Sequence, residues 1–117
     1  YVKPHKAYDP KMITHIKDTY LKAGNDNSVL VIPVGLAFVR AYEQQPGLKL
    51  HKAFDGTHPS LLGTYLASCV VFASIFNTSP VGLDYDYFDV ISDQEKMFLQ
   101  RIAEDTVNEF FGHKKTK

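Results

Sequence analysis

Apolar positions along the chain alternate between two rhythms. From Lys11 to Ala23, Met12, Ile13, Ile16 and Tyr20 recur at helical spacing, with Asp9 or Pro10 near the start and Gly24 as the stop. After the turn GNDN comes SVLVIPV, Ser28–Val34, an almost continuous β-branched run. That pattern predicts a short strand buried on both faces, as in a parallel sheet. Beyond Gly35, LAFVRAYEQQP reads as a helix closed by Pro46 and Gly47, and LKLHKAF (Leu48–Phe54) alternates weakly, as a second short strand would.

The strongest periodicity lies between Pro59 and Asn77. Leu62, Tyr65, Leu66, Cys69, Val70, Ala73 and Phe76 form one apolar stripe, Pro59 suits the first turn, and Thr57 or His58 sits near the cap. NTSPVG ends this helix. DYDYFDVISD is an acidic, aromatic loop, and Ser92 with Glu95 three residues on predicts a capping box. The last helix is predicted from about Asp93 to Phe111, with Met97, Leu99, Ile102, Ala103, Thr106 and Phe110 turned inward. Residues 1–10 read as an irregular lead-in and GHKKTK as a frayed tail.

Helix, strand, helix, strand, helix, helix is the alternation of an α/β layered fold. Two strands are too few for a sheet, and VLVIPV needs neighbours on both sides. The expectation is a single partial domain over residues 1–117, resembling the second half of a larger one. An unsatisfied edge at VLVIPV further predicts oligomerisation or domain swapping.

Composition narrows the functional classes. The 117 residues are 44% hydrophobic and 22% charged, and 13 basic side chains cancel 13 acidic ones. Zero net charge gives no broad surface for nucleic acid or anionic membrane. No run of about 18 apolar residues predicts a membrane span. A single cysteine, Cys69, excludes an internal disulfide and a Cys-based zinc site. The opening YVKPHKAYDP lacks both an initiator Met and a signal-peptide core, as expected of a mature or truncated product.

The chemistry concentrates in FDGTHPS, where Asp55 and His58 stand three residues apart at a loop-to-helix junction. A carboxylate so placed can bond one imidazole nitrogen and fix the tautomer, leaving the other nitrogen to take a proton from a serine. The plainer alternative is a capping acid beside an ordinary histidine. Asp55-Gly56-Thr57-His58-Pro59-Ser60, followed by Gly63-Thr64-Tyr65-Leu66-Ala67, resembles the last sequence block of the SGNH (GDSL-type) hydrolases. The flanking VIPVGLAFVRAYEQQPGLKLHKA and YLASCVVFASIF extend the likeness to a bacterial branch, over roughly residues 8–112.

This resemblance implies a serine esterase on a flavodoxin-like three-layer α/β/α sandwich, with Asp55 and His58 as catalytic acid and base. It implies a small-molecule or glycan ester as substrate, acetylated carbohydrate being one class, and no cofactor or metal. The family's members are often exported to the periplasm or beyond, and the residues themselves leave the compartment open. The family's nucleophile and oxyanion blocks have no counterpart here: there is no GDS and no Gly-x-Ser-x-Gly elbow. The expectation is therefore a C-terminal half, completed by an upstream segment or a complementary chain. The alternative is an inactive fragment or interaction module that uses its sheet edge and apolar faces.

Other polar residues read more plainly. Ser60 suits a first helical turn better than a nucleophile. Cys69 on the apolar stripe reads as a core thiol. The acidic loop reads as solvated surface, its spacing unlike a calcium loop. His5, His15, His51 and His113 have no metal-ligand spacing. Tyr1, Tyr8, Tyr85, Tyr87 and Phe88 are candidates for a sugar or acyl pocket, with packing on a core as the commoner use.

Overall fold

A computed structural model describes residues 11–113. The lead-in with Tyr1, His5 and Tyr8, the Asp9/Pro10 start and the last four residues of the tail lie outside the described residues. Among the described residues there are four helices: α1, Met12–Asn27; α2, Val34–Gln44; α3, Leu61–Phe76; and α4, Asp93–Phe111. They account for 60% of the described residues, and no strand or sheet accompanies them.

This overturns the α/β expectation: among the described residues there is no parallel sheet and no flavodoxin-like sandwich. Residues 28–33, expected as a strand, are irregular, and α2 begins at Val34, before Gly35. The expected strand at 48–54 is reduced to one antiparallel bridge between His51 and Pro59. The reason lies in where each element finds hydrogen bonds. A helix satisfies its backbone within its own segment, whereas a β-branched run becomes a strand only beside another strand.

The helical limits follow from local chemistry. Ser92 caps α4, its hydroxyl accepting from the Glu95 N–H at 3.2 Å while the Glu95 carboxylate accepts the Ser92 N–H. Gly112 closes the helix in a left-handed conformation. Asp93 and Glu95 add negative charge at the positive end of the dipole. The cap of α3 is Ser60, two residues beyond His58, its hydroxyl accepting the Gly63 N–H.

The core forms where α4 lies along α3 and α2 packs against both. Leu66 and Val70 of α3 and Leu99, Ile102 and Ala103 of α4 belong to one buried cluster, together with Ala37, Ala41, Leu50 and Ile91 among others. Each large aliphatic side chain buried there contributes about 1.5–3 kcal/mol. The inward residues expected on α3 are buried except Leu62, which is partly so, and Phe76, which is exposed. On α4, Met97 is exposed, while Gln100 and Val107 are buried. Gln100 is tolerated because its amide is fully used. Nε2 donates to the Tyr65 hydroxyl at 2.9 Å and to the Leu83 carbonyl at 2.8 Å, and Oε1 accepts from the Gly82 N–H at 3.0 Å.

Helix α1 stands apart, touching α2 alone among the helices. Its expected inward stripe is largely uncovered: only Gly24 is buried, and Ile16 and Tyr20 are exposed. The described residues span 41 × 38 × 21 Å. The short dimension is about two helix diameters, so the described residues form a flat layer of helices.

Candidate functional site

The loop from Leu50 to Ser60 builds the site. Its neck is tied by the Ser60 N–H donating to the Leu50 carbonyl at 2.8 Å and the Lys52 N–H to the His58 carbonyl at 2.7 Å. Inside, the Gly56 N–H donates to the Lys52 carbonyl at 2.9 Å, and Gly56 is buried with φ +69°. A glycine suits that left-handed turn because it has no Cβ to crowd the carbonyl. The neck sits against α3 at Gly63, where an added Cβ would lie 2.1 Å from the Leu50 carbonyl oxygen.

Asp55 folds back over this turn. Its Oδ1 accepts the N–H of Thr57 at 2.9 Å and of His58 at 3.1 Å, while Oδ2 meets His58 Nδ1. These bonds, led by the one from Thr57, hold the Asp55 carboxyl well below the usual carboxylate range. A carboxylate facing Nδ1 places the imidazole proton there, so the basic lone pair is on Nε2. The His58 side chain is 72% exposed, and Nε2 has no hydrogen-bond partner among the described residues. The pair thus presents an oriented base to solvent.

None of the chain's serines is arranged to receive that base. Ser60, two residues away, is committed: its hydroxyl donates to the Lys49 carbonyl at 2.6 Å and accepts from the Gly63 N–H at 3.2 Å. Cys69 is buried on α3, and desolvation pushes its thiol up to about 11, which leaves it inert as a nucleophile at neutral pH. No group of three or more His, Cys, Asp or Glu comes together to hold a metal among the described residues. Tyr85 and Tyr87 pack on each other, and Tyr87 on Tyr65, across the molecule's acidic loop. That loop turns through three left-handed residues, Tyr87, Phe88 and Asp89.

A second histidine, set aside in the sequence as scattered, stands at the loop's neck. His51 lies flat against Tyr42 and edge-on to Phe38. The Tyr42 hydroxyl accepts the Leu50 N–H at 3.2 Å and contacts His51 Nδ1 at 2.7 Å. The hydroxyl keeps its own proton, which it can donate to an unprotonated Nδ1. His51, Thr57 and Pro59 also line a groove of about 430 Å³ whose remaining wall is chiefly Met12, Ile13, Val34 and Phe38. An alternating or helical period would not reveal this, because His51 and the dyad are joined by a folded loop.

Burial lowers the His51 pKa from 6.5 to about 4, against the opposing pull of Asp55. The unfolded chain therefore binds the extra proton first as pH falls. Stability from this residue is complete above pH 6.5 and is lost as pH falls towards 4. Solvent near the ring reduces the effect to on the order of 1 kcal/mol. Urea midpoints measured at pH 7 and pH 4.5 should converge for His51→Gln and diverge for the native chain. Equal slopes in both proteins would contradict the buried neutral ring.

Comparison of the chain with family models, curated proteins and solved structures finds no match. No helix is long and apolar enough to cross a membrane among the described residues.

Proposed function

We propose that Asp55 and His58 are the orienting acid and the base of a serine ester hydrolase of the SGNH type. The serine and oxyanion hole come from outside the described residues, in a longer polypeptide or a second chain. The observation that carries this reading is the Asp55–His58 hydrogen bond with Nε2 left open to solvent. His58 Nε2 takes the serine proton as the hydroxyl attacks the ester carbonyl, then returns it to the departing alcohol. A water deprotonated at the same nitrogen releases the acid and restores the serine. Asp55 stays ionised and stabilises the imidazolium formed in between. The substrate class is a small-molecule or glycan ester. A second reading, favoured by the open apolar face of α1 and residues 28–33, is an interaction module without catalysis.

The test is intact mass spectrometry after treatment with a fluorophosphonate, which tags activated serines. The 117-residue chain alone should stay untagged, and a polypeptide that supplies the serine should carry one tag outside residues 11–113. A tag on Ser60 would place the nucleophile in this chain. An untagged longer polypeptide would overturn the hydrolase reading.

A further inference from the structure

Residues 28–33 are the most unusual surface of the molecule. The run Val29-Leu30-Val31-Ile32 is apolar and rich in β-branched side chains, yet it is neither helix nor strand. Its backbone is largely idle. The Val29 N–H donates to the Gly24 carbonyl at 3.0 Å and the Ile32 carbonyl accepts from Val34 at 2.9 Å. The N–H groups of Leu30, Val31 and Ile32 make no hydrogen bond among the described residues. Idle amides beside exposed aliphatic side chains form an edge that another backbone can satisfy.

The flanking surface is apolar as well. Ile13, Ile16, Tyr20, Leu36 and Phe110 wall a groove of about 590 Å³ along this segment. Tyr20 and Val29 are each 61% exposed and Leu30 is 55% exposed. Lys17 is the charged residue on the wall, and its stem can lie over apolar surface with the ammonium in water. On the outer side of α1, Lys22 and Asp26 neutralise each other at 2.6 Å.

We propose that this edge pairs two copies of the chain, residues 30–32 of one running antiparallel to residues 30–32 of the other. A two-fold axis at Val31 sets Val31 against its copy and Leu30 against Ile32, so each cross-strand pair is aliphatic. The Leu30 and Ile32 N–H groups then face the Ile32 and Leu30 carbonyls of the other copy, which makes the edge its own complement. Ile16, Tyr20, Val29 and Leu30 expose on the order of 400 Å² per copy, and doubling this with the backbone edges reaches only the lower end of specific interfaces, roughly 1,000–1,200 Å² in total. The dimer is therefore reversible, of micromolar class.

Sedimentation velocity of the 117-residue chain across the micromolar range tests this. The expected result is a concentration-dependent monomer–dimer equilibrium, with slower hydrogen exchange at the Leu30 and Ile32 amides as dimer accumulates. Leu30→Lys should weaken dimerisation about tenfold or more. Because Leu30 is exposed, that variant should keep native helical circular dichroism. A monomer at every concentration overturns the proposal and leaves the edge to an extended segment of another polypeptide. A dimer whose Leu30 and Ile32 amides stay unprotected, or which survives Leu30→Lys, also overturns it.

Discussion

If the proposed esterase reading holds, changing His58 to alanine is expected to lower turnover by at least about 10³-fold, equivalent to roughly 4 kcal/mol of transition-state stabilisation. The loss should fall on kcat, with KM little changed, because the imidazole moves protons and does not anchor the substrate. Folding should be spared, since the side chain is mostly in water and its backbone carbonyl still receives the Lys52 N–H. Asp55→Asn should cost a comparable factor, since an amide no longer fixes the tautomer. Asp55→Ala should in addition loosen the loop, because Oδ1 holds two backbone N–H groups. Steady-state kinetics on a chromogenic ester decide the matter. A His58→Ala rate within tenfold of the native protein would remove this residue from the chemistry.

Gly63→Ala is expected to be the most damaging single methyl in the described fold. The new Cβ would stand 2.1 Å from the Leu50 carbonyl oxygen and 3.2 Å from Phe38 Cζ. That carbonyl is not free to swing, since it accepts the Ser60 N–H. α3 and the loop neck must therefore part, at a cost of about 3 kcal/mol or more. Alanine's better helix propensity returns about 1 kcal/mol. The net loss of about 2 kcal/mol should lower the melting temperature by roughly 8–16 °C. Thermal unfolding followed by circular dichroism measures it, and an unchanged midpoint would contradict the close approach. The same methyl would tilt the neck that carries the dyad, so activity should fall together with stability.

The elements legible in the sequence are those that close their own hydrogen bonds. The capping box at Ser92 and Glu95 and the stripe from Leu62 to Ala73 correspond to α4 and α3 because both signals are local. The run SVLVIPV carried equally clear local chemistry and led to the wrong element, since strand formation needs a partner that no pattern within the run supplies. The helix α1 was legible as a helix but not as an exposed one: Ile16 and Tyr20 have the spacing of a core stripe, and spacing does not say whether anything lies opposite. At the site, Asp55 and His58 were legible because three residues around a glycine turn bring them into contact. His51 was not, because its place depends on Tyr42 and Phe38, nine and thirteen residues away on another element.

The loop that bears the dyad is closed on itself, with its neck, turn and both functional side chains drawn from eleven consecutive residues. The hydrogen bonds that shape its turn are made within the loop itself. The acid–base pair therefore travels as a cassette, transferable to another scaffold wherever a chain crosses itself at the spacing of Leu50 and Ser60. On the proposed hydrolase reading, the serine has only to be delivered to an imidazole that is already aimed.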